Sequence, residues 1–405
     1  MEIGAVLKTL QDPMGVPFYP AVFQALMVLT FALHIVLVNL TIGSSFLSVY
    51  GYLRNDERWK RLSGSLAKAV TINASMSILL GVAPLLFVQV LYDPFWYSSN
   101  LLSAAWVMGF LVIMALAYGF AYIFYLGGKK PGKGAGFAAY GIASFAFFLL
   151  AGVIMHVLGY QLLQPDKWLA WYAKGNSVDT SGTSLHAFQL PRFLHFIVPS
   201  FAMTGIFLML YSWYFKNRED MDSEYLAWVG NMGARMALFF TAIQAIVGAW
   251  WLLVLPAEFR FASNPLFAAG ALLGAGLLIF LYFAQKDPAR FAVPAGMAGL
   301  AAVLGMSATR EALRMKYAGR FAYSIFDYKV NLDFGSTALF LATFVMGLVI
   351  VSYLLAVAFQ SGRVAGPYEA SPSLQKLGKA GIALLLLWIV VVAGLGVVIT
   401  VRNFL

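Results

Sequence analysis

Residues 20–50 read PAVFQALMVLTFALHIVLVNLTIGSSFLSVY, an apolar stretch without a single Asp, Glu, Lys or Arg. A helix needs about 20 such residues to cross the ~30 Å hydrocarbon core of a bilayer. Within the stretch stands one histidine, His34. Thr41, Ser45 and Ser48 follow it seven, eleven and fourteen positions on, so all four share one helical face. Lipid cannot satisfy a polar stripe on a helix of Leu, Val and Phe, so the stripe is expected to face the interior of a helix bundle.

The rest of the chain repeats this pattern. The sequence of 405 residues is 61% hydrophobic and 11% charged, where a soluble domain carries about a quarter charged residues. Ten helices are expected, over 20–50, 69–92, 103–126, 136–163, 191–215, 227–255, 264–284, 291–309, 334–360 and 380–401. In lipid every backbone amide needs an internal partner, which favours helices. The alternating pattern of a membrane barrel is absent. The fold class is therefore all-α and polytopic: one integral membrane domain over 1–405, with 20–126 and 136–255 as two related four-helix units and 264–401 as the remaining helices. A short echo supports the two units. Leu33-His34-Ile35-Val36 with Gly43 beyond it matches Leu194-His195-Phe196-Ile197 with Gly205, and each helix starts at a proline, Pro20 or Pro191.

Charge sets the expected orientation. The net charge is +10, and the basic residues gather in short connections between apolar runs, so topology explains them better than nucleic-acid binding does. Most of the 27 Lys and Arg residues lie on the inner side if the N-terminus is outside. Examples are Arg54, Arg58, Lys60 and Arg61, then Lys129, Lys130 and Lys133. This predicts a multi-pass protein of the cytoplasmic membrane with its N-terminus on the periplasmic side. Residues 1–20 lack the positive start and short apolar core of a cleavable signal. Arg310, Arg314, Lys316, Arg320 and Lys329 run against the trend, and suggest anionic cofactor groups or an acidic partner on the outer side.

There is no cysteine, which removes disulfides, iron–sulfur clusters and covalent c-type haem attachment. No P-loop, GxSxG or HExxH arrangement is present. The chemistry then falls to four histidines. His34 is a candidate metal ligand, the alternative being a neutral histidine hydrogen-bonded across helices. His195 lies about one turn into its helix. Pro199, four residues on, cannot donate to its carbonyl, and the loosened backbone makes room for a bulky ring. His156 lacks a polar stripe, yet its depth resembles that of His195. His186 lies in an outer connection and is expected to be solvated. At ~1.5 Å per residue, His195 is about 6 Å, His156 about 10 Å and His34 about 16–21 Å below the outer edge. Neutral imidazoles at such depths suit haem iron in a helix bundle. Glu311 and Arg314, three apart, share a face if their helix continues; a carboxylate can ligate iron and an arginine can pair a haem propionate. A modest interfacial ion pair is the alternative. Met297 and Met306 are further candidate axial ligands.

These contexts resemble the large subunit of cytochrome bd-type quinol oxidases. The match runs through Leu26-Met27-Val28-Leu29-Thr30-Phe31-Ala32-Leu33-His34, then Leu40-Thr41-Ile42-Gly43 and Ser45-Phe46-Leu47. The resemblance implies that His34 ligates a haem of the active site. Arg192-Phe193-Leu194-His195 looks like the family's fifth-helix segment, which implies that His195 ligates a low-spin haem b. Glu311-x-x-Arg314 after Gly305 is similar to a segment with a haem-ligating glutamate. Three departures stand beside the likeness. The family's long quinol-binding loop shrinks to Pro256–Asn264. Residues 69–126 hold one acid, Asp93, in a loop. Where the family has a haem-ligating methionine, this chain has Ala268-Ala269-Gly270. His156 is the expected substitute, as partner of His195.

The expected function is a haem b-binding electron-transfer subunit of a respiratory membrane complex, with one or more haems. It would sit in the lipid bilayer with other membrane subunits and exchange electrons with a cytochrome c on the outer face. Candidate cofactor-binding residues are His34, His195, His156, Glu311 and Arg314, the first four as metal ligands. The alternatives are a terminal oxidase with an altered donor site, and a haem-free transporter or structural subunit.

Overall fold

The computed structural model describes residues 3–128, 134–175 and 177–404. Lys129, Lys130 and Lys133 lie outside the described residues. The short α1 (Ile3–Thr9) precedes the long α2 (Pro20–Leu53) and α3 (Glu57–Leu91), followed by short α4 (Asp93–Leu101) and long α5 (Ala104–Gly127). After these come α6 (Ala138–Gln161), short α7 (Pro165–Tyr172), α8 (Leu190–Phe215) and α9 (Ser223–Leu253). The chain closes with α10 (Pro265–Ala284), α11 (Pro288–Gly319), α12 (Phe334–Ser361) and α13 (Pro372–Phe404). Among the described residues, ten helices are long and apolar enough to cross a membrane, and all ten coincide with the expected spans. The ranges 20–126 and 136–255 each hold three long helices and one short one. A two-residue hairpin, β1 (Ala173–Lys174) with β2 (Ser177–Val178), is the one strand pair among the described residues.

Three helices run well past their expected ends: α13 starts at Pro372 rather than 380, and the other two do so for identifiable reasons. α3 starts at Glu57 rather than 69, because Asp56 caps it by accepting hydrogen bonds from the amides of Arg58 (2.8 Å) and Trp59 (3.3 Å). α11 continues to Gly319 rather than 309, and carries Arg310, Glu311 and Arg314 inside a helix. Prolines at the first turns of α2, α4, α7, α10 and α11 fit a position that needs no amide donor.

The chain divides into two compact units, Met1–Trp213 with Glu224–Val330, and Tyr214–Ser223 with Asn331–Leu405. In the first unit, α1, α4, α7 and the connections around them close one end of the bundle, called here the α1 end. An aromatic core sits there, with Tyr92, Phe95, Phe259, Tyr317, Tyr323 and Tyr328 buried together. The segment before α2 joins the segment after α11 through a bridge of Val16 to Val330. In the second unit no described side chain of α12 is buried, although the helix is rich in Leu, Val and Phe. Lipid is the solvent in which such a surface is stable.

Candidate functional site

The polar stripe of α2 faces inward. Thr41, Ser45 and Ser48 are buried, and Thr41 donates to the Leu37 carbonyl at 2.8 Å. Towards the α1 end the same helix presents Gln24, Met27, Phe31 and His34, at steps of three, four and three residues, hence on one face. That face meets α11. Gln24 donates to Glu311 Oε1 at 3.3 Å, and Arg314 donates to Met27 Sδ at 3.2 Å. The Arg310 guanidinium lies 4.1 Å from the Phe31 ring centroid. Phe31 in turn adjoins the His34 imidazole, with centroids 6.4 Å apart. The structure thus gathers His34, Glu311 and Arg314 from opposite ends of the first unit's sequence.

The state of His34 can be read from its partner. Its Nδ1 lies 2.9 Å from the backbone oxygen of Ser77 on α3. A carbonyl only accepts, so Nδ1 carries a hydrogen, and in the neutral imidazole Nε2 keeps its lone pair. This is the tautomer in which a metal-ligating histidine is oriented by a hydrogen bond from its other nitrogen. The ring lies directly on α3 because residue 81 is glycine: a Cβ there would stand 2.8 Å from His34 Cε1.

His195 repeats the arrangement one bundle segment later. Its ring packs on α9 against Trp251, at a centroid distance of 5.1 Å. A Cβ on Gly248 would come within 3.0 Å of its Cε1. As expected, Pro199 leaves the carbonyl of His195 without its helical donor, and Gln244 of α9 supplies one from Nε2 at 3.0 Å. His195 Nδ1 is buried without a hydrogen-bond partner. In both cases a histidine lies over a glycine of the next long helix. The sequence echo of α2 and α8 therefore has a counterpart in α3 and α9 that no string match displays.

His156 is elsewhere. It is buried on α6, its Nε2 accepts the amide of Gln189 at 3.2 Å, and Nδ1 has no partner. Phe188 and Phe193 pack against its ring, with centroids 5.1 and 5.4 Å away. Phe193 and His195 are two positions apart on α8, about 200° around the helix. His156 packs against Phe193 of α8, and His195 packs on α9 against Trp251. His186 is pinned rather than solvated: its Nε2 donates to the Leu102 carbonyl at 3.3 Å, and its ring stacks on Trp171. Met297 is 70% exposed on the lipid side of α11, whereas Met306 reaches towards α10 at Gly274.

Glu311 is engaged on every side. Its Oε1 accepts the Tyr92 hydroxyl at 2.6 Å as well as Gln24, and Oε2 accepts Arg314 at 2.7 Å. The basic run splits in two. Arg314 points inward, and the Nε of Arg310 is buried without a partner. Lys316, Arg320 and Lys329 are exposed, and Arg320 stands 3.8 Å from Glu258.

Sequence reasoning missed several members of this end. Gln24 shares the His34 face and was legible by spacing alone. Arg192 is buried and donates to the carbonyls of His156 and Gly159, both at 3.1 Å, closing the end of α6. Asp93 does not lie in a loop: it is the first residue of α4 and is buried. Its carboxylate accepts the Asp12 amide at 2.8 Å and the Tyr328 hydroxyl. Tyr328 is hydrogen-bonded to Tyr323, whose hydroxyl lies 2.9 Å from the Leu91 carbonyl. Burial holds the Asp93 carboxyl above its usual range, with the Tyr328 bond pulling the other way.

Among the described residues no three His, Asp or Glu side chains cluster as a protein-built metal centre. A haem asks for less, because the porphyrin supplies four nitrogens and the chain one or two ligands. The free lone pair of His34, the unpartnered nitrogen of His195 and the unpartnered Nε of Arg310 fit that requirement.

No family model matches the chain, and no curated protein matches it. Among solved structures, the bd oxidase from Geobacillus thermodenitrificans is similar, with a TM-score of 0.64 at 12% sequence identity. The alignment covers 85% of this chain and 99% of that one. This chain is therefore a polytopic, all-α membrane protein with a bd-oxidase-like fold.

Proposed function

We propose that the protein is a haem b-binding electron-transfer subunit of a respiratory membrane complex. The observation that carries the reading is His34, whose Nδ1 lies 2.9 Å from the Ser77 carbonyl, so that in the neutral ring Nε2 would be the atom to ligate a metal. His34 and His195 would each hold a haem. Bound haem supplies one-electron exchange; the remaining tasks fall to the chain.

Ser77 and Gly81 orient the His34 ring on α3, while Gly248 and Trp251 orient His195 on α9. Arg310, half-buried and with its Nε lacking a hydrogen-bond partner, would meet a propionate, since a guanidinium pairs a carboxylate more strongly than an isolated hydrogen bond can. Glu311 keeps Arg314 in place and is neutralised by it. The buried aromatic cap at the α1 end excludes water from the spans. Lys316, Arg320 and Lys329 form an exposed basic surface at that end, suited to an acidic cytochrome c. We place that end on the periplasmic side of the cytoplasmic membrane, with neighbouring membrane subunits against the lipid-exposed helices.

A reduced-minus-oxidised spectrum of the purified protein, with a pyridine haemochrome assay, tests this. A b-type signal that falls stepwise in His34→Ala and His195→Ala is expected. A protein purified intact without any haem overturns the reading and leaves the transporter or structural alternative.

A further inference from the structure

Away from the α1 end, at the opposite end of the first unit, the last turns of α2 and the first turns of α3 and α9 enclose a groove of about 780 Å³. Tyr50, Arg58, Trp59, Trp228, Asn231 and Arg235 line it. We infer that this groove binds one anionic phospholipid, its phosphodiester between Arg58 and Arg235 and its acyl chains along Leu47 and Phe239.

The first argument is Arg235. It is exposed on α9 and makes no hydrogen bond or ion pair among the described residues. It lies twelve residues beyond Ser223, about 18 Å along the helix axis, and two turns deeper than Trp228. A lipid-exposed cation at such a level costs several kcal/mol unless an anion or water meets it. Its long stem lets the guanidinium snorkel back towards the interface, where lipid phosphates lie.

The second argument is the order of side chains. Trp228, Asn231, Arg235 and Phe239 follow one another along a single face of α9. The run goes from an interfacial aromatic through a hydrogen-bonding amide and a cation to an apolar ring that is 61% exposed. That is the order of groups along a phospholipid, from headgroup to chain. Tyr50, Trp59 and Trp228 make the aromatic wall, with centroids 5.0 and 5.1 Å apart in edge contacts. Such aromatics mark the membrane interface.

The third argument separates a lipid from a soluble phosphate. Arg58 lies over the Trp228 ring at 5.5 Å and stands 4.0 Å from Glu224 at the rim. A carboxylate at the mouth repels a dianionic phosphate monoester more than a monoanionic diester. The groove also opens on Leu47, Met236 and Phe239, which a soluble anion would leave uncovered.

Native mass spectrometry of the delipidated full chain tests the assignment, with phosphatidylglycerol and phosphatidylcholine of identical chains added in turn. One phosphatidylglycerol per chain should be retained in preference, and glycerol phosphate at millimolar concentration should not displace it. Arg58→Gln with Arg235→Gln should weaken retention about tenfold or more, the loss expected for one charge-assisted hydrogen bond. The double Lys variant should restore part of it. Should the Gln variant misfold, quenching of wild-type tryptophan fluorescence by brominated phosphatidylglycerol, but not by brominated phosphatidylcholine, serves instead. Equal retention of the two lipids, or full retention by the folded Gln variant, overturns the proposal. Displacement by glycerol phosphate overturns the lipid in favour of a soluble phosphate.

Discussion

The Glu311 carboxylate and the Arg314 guanidinium meet at 2.7 Å, one turn apart on α11, with side chains only 5% and 9% exposed. Taken as an interfacial pair, this contact would be of small value. Its burial reverses that judgement. Tyr92 and Gln24 complete the coordination of the carboxylate, and Met27 takes a second contact from the arginine. Removing one member strands a buried charge. Arg314→Met is therefore expected to destabilise the protein by about 3–5 kcal/mol, because a buried pair loses more when broken than when replaced whole. Glu311→Gln with Arg314→Met keeps an amide oxygen for Tyr92 and should cost less than Arg314→Met alone. Thermal melting of the three proteins in one detergent measures this. A double variant less stable than the single would show that the pair does not act as a unit.

The two glycines beneath the histidines give a sharper test of the haem proposal than the histidines do. Gly81→Ala places a methyl 2.8 Å from His34 Cε1, and Gly248→Ala places one 3.0 Å from His195 Cε1. Both positions are helical, where alanine is favoured over glycine by about 0.5–1 kcal/mol, so neither variant should fail to insert. Each should lower haem content per protein in the absorption spectrum, in the direction of the matching His→Ala variant. Undiminished haem in both glycine variants would mean that the rings do not set the haem positions.

Asp93 makes a prediction about pH. Burial raises its carboxyl above the ordinary value of 3.8, so the folded protein favours the protonated form. The stability it contributes is fully present below the ordinary value and is lost as pH rises through the raised one. Asp93→Asn keeps one acceptor oxygen, for the Asp12 amide, and turns its Nδ2 as a donor towards the Tyr328 oxygen, but cannot ionise. Its melting temperature should fall less than that of the wild type as pH is raised from about 4 to 7. Tyr328→Phe removes a bond that favours the carboxylate, and should move the wild-type transition to higher pH. Identical pH profiles for wild type and Asp93→Asn would dismiss Asp93 as the titrating group.

The spans were legible because each is an apolar run of membrane length, and no other reading of residues 20–50 satisfies the backbone. The ends of α3 and α11 were less so. Charge density at 57–68 and 310–314 argues against a helix in lipid, and only the Asp56 cap and the internal ion pair make these turns stable. The inward face of His34 was readable from Thr41, Ser45 and Ser48. The meeting of Gln24 with Glu311, 287 residues apart, was not, because helix-to-helix register leaves no mark in a single sequence. Depth alone suggested that His156 and His195 form a pair. Depth omits rotation about the helix axis: the α8 side chain that meets His156 is Phe193, about 200° around the helix from His195.

The last prediction is that oxygen uptake driven by a quinol is absent or very low. The connection between α9 and α10 bears on it most directly. Residues 257–263 form two short turns, Ala257–Phe259 and Phe261–Ser263, with Phe259 and Phe261 buried in the aromatic core. Arg260 between them adopts a left-handed backbone at φ 43, a conformation that costs a non-glycine residue energy and holds only where the surroundings enforce it. This segment is a plug and offers no extended arm to close over a quinol. Across from it, a Cβ on Gly270 would stand 2.6 Å from Thr309 Oγ1, so α10 and α11 leave no room there for a methionine reaching a haem. Asp93, the one acid in residues 69–126, is turned into the α1 end and occupied by Asp12 and Tyr328, away from the middle of the spans. Membrane proton paths lean on carboxylates within the bundle, and Glu311 is already bound by three donors. Oxygen consumption by the purified chain should therefore stay at background with a short-chain quinol, and should not rise in Phe259→Ala, which loosens the plug without building a site. Rapid uptake with the quinol, from a preparation free of other oxidases, would restore the oxidase reading.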